Sequence, residues 1–216
     1  MSAWDSPIMR ISTGLLNTVN DETIGNQPGL DGRSKVAGML GQTLWVSPDQ
    51  IGLMHSTAIG VLYGGRYRYV RLRAADAVAV AVGQIAFWDT TVTDWTKAFQ
   101  VTREEDLSSV DNAIFIAGIF ISIPTPGRYC FIQDVGIVPV KFRGALTSAG
   151  AVGSRVFAAA AGDGADEGFA DVLSSAVPTT FGDVSLMLPR YLGNAVTAPV
   201  ATELDLVSLG FHNVLG

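Results

Sequence analysis

From residue 58 onward the chain runs in short apolar stretches, many alternating with polar positions, and most of them stop at Gly or Pro. That pattern predicts strands and tight turns. Ile59–Tyr63 leads into the turn dipeptide Gly64-Gly65. Arg66–Arg73 alternates charge with apolar side chains. Ala77–Val82 alternates Ala with Val and ends at Gly83, Ile85–Trp88 follows, and Phe99–Thr102 is a further short strand. Ala113–Ile123, Arg128–Val135 and Ile137–Phe142 make three strands, broken by Pro126-Gly127 and by Gly136. Pro139 has no N–H to give to a ladder, so it belongs at a sheet edge or a bulge. Tyr191–Val196 and Leu204–Leu209 complete the set. The expected fold is all-β: a single small β-barrel or β-tulip-like domain over residues 59–216, behind a long extended N-terminal arm over residues 1–58.

Two details refine this. A period of two sets Arg66, Arg68, Arg71 and Arg73 against Tyr67, Tyr69 and Leu72 on the other face of their strand, with Val70 and Arg71 shifting the phase. The pattern A-V-G-x-x-x-F occurs at Ala81–Phe87 and again at Ala151–Phe157. The echo points to a shared device more than to a duplication: Gly supplies a turn, and Phe anchors the next strand in a core.

Residues 1–58 are dense in Gly, Asn, Asp, Ser and Thr, with a weak helix-start signal at Ser47–Gln50. Twenty extended residues reach roughly 65 Å. Such an arm either crosses a neighbouring subunit or folds back on its own domain. Trp4, Leu15 and Leu16 are its candidate partner contacts, and Arg66, Arg68, Arg71 and Arg73 are those of the barrel.

Composition shifts the picture toward assembly. The chain is 48% hydrophobic but only 16% charged, against about 25% in ordinary soluble domains. Either it buries more than its own core, as an assembly subunit does, or it is an Ala- and Gly-rich β-protein with a neutral surface. Its net charge of −6 and pI near 4.8 argue against nucleic-acid binding. After Gly144 only Arg155 and Arg190 are basic, against Asp163, Asp166, Glu167, Asp171, Asp183, Glu203 and Asp205. A basic patch on one copy therefore has an acidic counterpart to meet on a neighbour. No run reaches the ~20 apolar residues of a membrane span, and Met1–Arg10 shows no charged n-region followed by an apolar core, so no signal peptide is expected there.

Candidate chemistry is sparse. Cys130 is a lone cysteine in an apolar run, read as a buried inert thiol. His55 and His212 have no ligand partner at close spacing, and no G-x-S-x-G elbow occurs. Asp163–Glu167 resembles part of a calcium loop, but Asp171 comes too early to be the distal ligand. Gly162-Asp163-Gly164 lacks the third glycine of a dinucleotide site. Trp88 and Trp95 flank a loop and can stack on sugars or anchor an interface, but Trp in a β-protein is most often core. The expectation is a protein that is not an enzyme and holds no cofactor or metal.

The strand series Tyr67-Arg68-Tyr69-Val70-Arg71, Ala77–Gly83 and Ile85–Asp89 resembles that of tailed-bacteriophage capsid decoration (cement) proteins. Ile116–Ile119, Pro126–Gln133, Gly136–Val140 and Ala151–Phe157 extend the likeness over roughly residues 60–160. The resemblance implies a β-barrel or β-tulip on the outer face of a phage head, homotrimeric, clamping neighbouring major capsid protein subunits. The alternative is a tail, baseplate or head-fibre protein contacting the host surface.

Overall fold

The structure, a computed structural model, describes residues 40–41, 43–46, 64–76, 79–89, 99–103, 116–121, 123–127, 129–159, 168–172 and 191–210. Trp4, Leu15, Leu16, the Ser47–Gln50 signal, His55, Trp95, Asp163–Glu167 and His212 lie outside them. The described residues form ten strands: β1 (Thr43–Val46), β2 (Gly65–Leu72), β3 (Ile85–Trp88), β4 (Gln100–Thr102), β5 (Ile116–Phe120), β6 (Tyr129–Lys141), β7 (Arg155–Ala158), β8 (Ala170–Val172), β9 (Tyr191–Ala195) and β10 (Leu204–Leu209). No helix occurs among them, and the all-β barrel is what forms.

Three expectations are corrected. Residues 79–84 of the predicted Ala77–Val82 strand and its Gly83 stop hold no strand. Ala81–Gln84 is a turn, in which the Gln84 N–H reaches the Ala81 carbonyl; small Ala side chains give a pleated surface little to pack. The strands expected either side of Gly136 are one 13-residue strand, β6. Gly136 bends it through φ 108, a conformation open to glycine, without interrupting the ladder that begins at Gly136↔Leu209. The polar run Arg103–Leu107 reads in sequence as a solvated loop or a single helical turn, but Arg103 is buried, with its N–H 3.3 Å from Asp76 Oδ2. Pro139 sits where one was expected. It pairs with Leu206 on β10 only, and on the other flank of β6 the neighbouring Lys141 N–H goes to the Gly83 carbonyl.

The pairings close a ring. β2 pairs with β4, β4 with β3, β3 with β5, β5 with β6, and β6 again with β2. This is a five-stranded barrel. β1 pairs with β2 outside this ring, and the other four strands make a second ring on the same β6: β6 pairs with β10, β10 with β9, β9 with β7, and β7 with β8. The parallel bridge Phe142↔Ala170 returns β8 to the end of β6. The N-terminal half of β6 is thus the last strand of the first barrel, and its C-terminal half is the first strand of the second.

The two rings are the same structure twice. Ala81–Gln84 and Ala151–Ser154 are the same turn: Gly83 and Gly153 have φ 85 and 83, and the first N–H is held by the fourth side chain, Gln84 Oε1 at 2.6 Å and Ser154 Oγ at 2.9 Å. Gly83 N–H bonds Phe120 and Gln84 accepts in return; Gly153 N–H bonds Ala195 and Ser154 accepts in return. The strand after each turn carries a register shift at the same step, Ala86/Phe87 and Val156/Phe157. The parallel contacts Leu72↔Val101 and Phe142↔Ala170 correspond as well. The sequence echo is therefore the visible edge of a duplication.

Packing follows from this. Val70, Leu72, Ala86, Val101, Ala117, Phe120, Cys130 and Ile132 form one core, with Trp88 against it: the lumen of the first barrel. At the matching places the second barrel has Val140, Phe142, Val156, Ala170, Leu192, Ala195 and Val207, within a larger core that also takes Tyr67, Tyr69, Ile85, Phe87 and Phe131 from the other face of the first barrel. Large and small residues trade places: Phe120 with Ala195, Ala117 with Leu192, Ala86 with Val156, Trp88 with Ala158. Total volume is what a close-packed lumen must conserve, not identity. Burial of Tyr67 in the larger core raises its phenol well above the ordinary tyrosine range.

One position tests the equivalence. Gly127 has φ 81, and its counterpart in the second barrel is Thr202 at φ 68. A β-branched residue there is strained by about 1 kcal/mol. Thr202→Gly is expected to stabilise the fold by up to about 0.5 kcal/mol once the added chain entropy of glycine is subtracted. Gly127→Thr should destabilise it by about 1–2 kcal/mol. Urea midpoints of both variants, at unchanged m, check the pair.

Candidate functional site

Arg66, Arg68 and Arg71 of β2, and Arg73 just past its end, do not share a face. Arg66 and Arg68 lie on the strand face of Val70 and Leu72, which lines the first barrel. Arg71 and Arg73 lie on the face of Tyr67 and Tyr69. The expected single arginine face is corrected: pairing with β6 runs without a shift through Val70 and Arg71, so regular alternation splits the set in two.

Each pair has a distinct environment. Arg71 Nε donates to the Gly127 carbonyl at 3.0 Å, and its guanidinium lies 5.9 Å from the Tyr129 ring. Arg73 Nε reaches Asp76 Oδ1 at 2.7 Å, with the aspartate side chain 1% exposed. Thr102 Oγ1 bonds the same oxygen at 3.0 Å. This Arg–Asp–Thr set ties the end of β2 to β4. The second barrel repeats it as Arg143, Asp171 and Thr147, with Asp on the strand and Thr in the loop, the reverse of the first barrel. Its presence in both copies marks it as a structural clasp.

Arg66 and Arg68 meet a single carboxylate. Asp134 takes Arg66 Nε on Oδ1 at 2.9 Å and Arg68 Nε on Oδ2 at 3.1 Å. The register shift opposite Arg66/Tyr67 leaves Asp134 without a partner residue on β2, so the bulge turns its side chain to the arginines. Arg66 lies 5.8 Å over the Trp45 ring, and Arg68 6.0 Å over Trp88. β1 brings Trp45 here, because its register sets Trp45 opposite Arg66. Trp45 is 59% exposed. Trp88 is half-buried at the end of the lumen and meets Phe99 edge-on at 6.2 Å.

Unlike the clasp, this cluster has no copy in the second barrel. The positions of Arg66, Arg68, Trp88 and Asp134 correspond there to Gly136, Val138, Ala158 and Leu209. Val138, Ala158 and Leu209 are buried. The same barrel therefore closes on apolar side chains where the first has a part-buried ionic cluster, and replacing ion pairs taken out of water by well-packed apolar groups is often neutral or stabilising. The fold does not require these charges. Sequence reasoning named both arginines but missed Asp134, Trp45 and Trp88 as their companions, since Asp134 reads as an ordinary polar position within an apolar run.

A second feature lies in the second barrel. The turn Ala151–Ser154 and the loop after β9 meet where Gly153 N–H bonds the Ala195 carbonyl, with Gly150 against Pro199. They carry Val152, Val196 and Val200, exposed by 70, 38 and 46%. In the first barrel the same turn is a joint: the Gly83 carbonyl accepts Lys141 N–H, Ile85 N–H reaches the Gly168 carbonyl, and Gly83 abuts Leu204. Val82 there is half-buried and Ile121, the counterpart of Val196, is 3% exposed.

Among the described residues no group of three or more His, Cys, Asp or Glu is placed to hold a metal ion, and Cys130 is buried. No protein-family model matches the chain, and no curated protein matches it in sequence.

Proposed function

We propose that this chain is a virion structural protein, a homotrimer on the outer face of a phage capsid that stabilises it by bridging major capsid protein subunits. The observation that carries the reading is the joint between the barrels. The Ala-Val-Gly turn docks one barrel on the next within the chain, and its second copy stands exposed with an apolar rim of Val152, Val196 and Val200. Single exposed apolar residues are ordinary; a rim on a turn already used for docking suits a partner surface. The resemblance over residues 60–160 and the acidic net charge of −6, unsuited to a DNA-lined interior, support the same placement.

Binding to purified heads lacking the protein tests it. The wild-type chain is expected to bind at hundreds of copies per particle. Val152→Asp is expected to weaken binding at least tenfold, because a carboxylate buried in an interface without a partner costs more than 1.4 kcal/mol. Its melting temperature should not change, since the side chain is exposed. Undiminished head binding by Val152→Asp would remove the rim from the interface. A copy number of a few to tens would favour the tail or fibre reading instead.

A further inference from the structure

We infer that the mouth of the first barrel is a binding site for an acidic sugar, a pyranose carrying one carboxylate. The inference is independent of the assembly reading and uses none of the rim.

The duplication supplies the comparison. Two copies of one barrel stand in the same chain, and only one holds two arginines, an aspartate and two indoles at its mouth. The clasp shows that charge needed by the fold is kept in both copies, whereas the mouth keeps it in one. A cluster that folding can replace with Gly, Val, Leu and Ala, yet that holds three charges with side-chain exposures of 24, 16 and 7%, is explained by what it binds.

The geometry gives the ligand class. Asp134 engages each guanidinium through Nε. It orients both planes and leaves the Nη edges with no hydrogen-bond partner among the described residues. Two guanidiniums and one carboxylate carry a net charge of +1, which suits a single carboxylate held in bidentate fashion. The chain's net charge of −6 opposes a polyanion. Trp45 fixes the second feature. Arg66 lies over its ring, and the indole is still 59% exposed. Its open surface is an apolar platform for the C–H face of a sugar ring, within reach of the arginine that would hold the carboxylate.

Calorimetric titration of the full chain with methyl glucuronide, methyl glucoside and acetate tests this. Methyl glucuronide is expected to bind with a Kd of about 1 mM, as a ligand of this size allows. The glucoside and acetate, each offering one feature alone, are expected at least tenfold weaker. Arg68→Gln and Arg66→Gln should each reduce glucuronide affinity at least tenfold. Trp45→Ala should weaken glucuronide severalfold and leave acetate unchanged. Arg155→Gln, on an exposed residue of the second barrel, should change nothing. Arg66→Gln, at the more exposed arginine, keeps the test valid if Arg68→Gln fails to fold. Acetate matching the glucuronide, with no effect of Trp45→Ala, would reduce the site to a simple oxyanion pocket and overturn the sugar assignment. So would a glutamate-rich peptide binding where the glucuronide does not, or no saturable binding by a chain with an unchanged melting curve.

Discussion

Asp171→Ala is expected to lower the unfolding free energy by about 3–5 kcal/mol, the range for removing one partner of a buried ion pair. Asp171 is 4% exposed. Its carboxylate accepts from Arg143 Nη1 at 3.2 Å, Thr147 Oγ1 at 2.5 Å, Thr147 N–H at 2.9 Å and its own neighbour's Val172 N–H at 2.7 Å. Deleting it leaves a guanidinium, a hydroxyl and two amides to be satisfied where little water reaches. The site is also the weakest seam of the second ring, since β8 returns to β6 through one bridge, Phe142↔Ala170, and Asp171 is the next residue. Thr147→Val removes one donor and should cost only about 1 kcal/mol. Urea melts of both variants check the ratio. Equal losses would mean that the clasp is held by the hydroxyl, not by the charge.

Gly193→Ala is expected to cost about 3 kcal/mol, at the upper end for overpacking. In a chain of this size that is a fall of roughly 6–12 °C in melting temperature. A Cβ at Gly193 would strike the Ser208 carbonyl across the β9–β10 ladder. Backbone carbonyls cannot swing aside as a side chain can, so relief requires the two strands to part. Gly118 occupies the same place in the first barrel, where a Cβ would lie 2.6 Å from the Gln133 carbonyl. Gly118→Ala is therefore expected to behave alike. Differential scanning calorimetry reads both, and a loss under about 1 kcal/mol in either would show that the ladder shifts easily.

How much of this was legible in the sequence depends on what fixes each residue. Most strands of the barrels were readable, because a half-buried strand must alternate and a tight turn must have Gly. The duplication was readable only at Ala81–Phe87 and Ala151–Phe157, where backbone geometry dictates identity. In the lumen only summed volume is dictated, so Phe120 faces Ala195 in the comparison and the likeness disappears. Gly136 was read as a break because Gly usually ends a strand; here two neighbouring ladders hold β6 through the bend. The splitting of the arginines needed knowledge that a barrel mouth, unlike a sheet face, admits charge on its inner side. Asp134 owes its role to a bulge, which is a property of the pairing of β2 with β6 and not of either strand alone.

The strand held in common also sets an order of events during synthesis. The first barrel is complete once residue 135 has left the ribosome, while about 75 residues of the second barrel are still to come. At ~5–20 residues per second that interval lasts roughly 4–15 s, far longer than the microseconds in which strands pair. Throughout it, Val138, Val140 and Phe142 project from a finished barrel as an apolar strand with no neighbour. The growing chain therefore carries an open template for pairing for seconds at a time. The polypeptide that first satisfies that template must be its own C-terminal half.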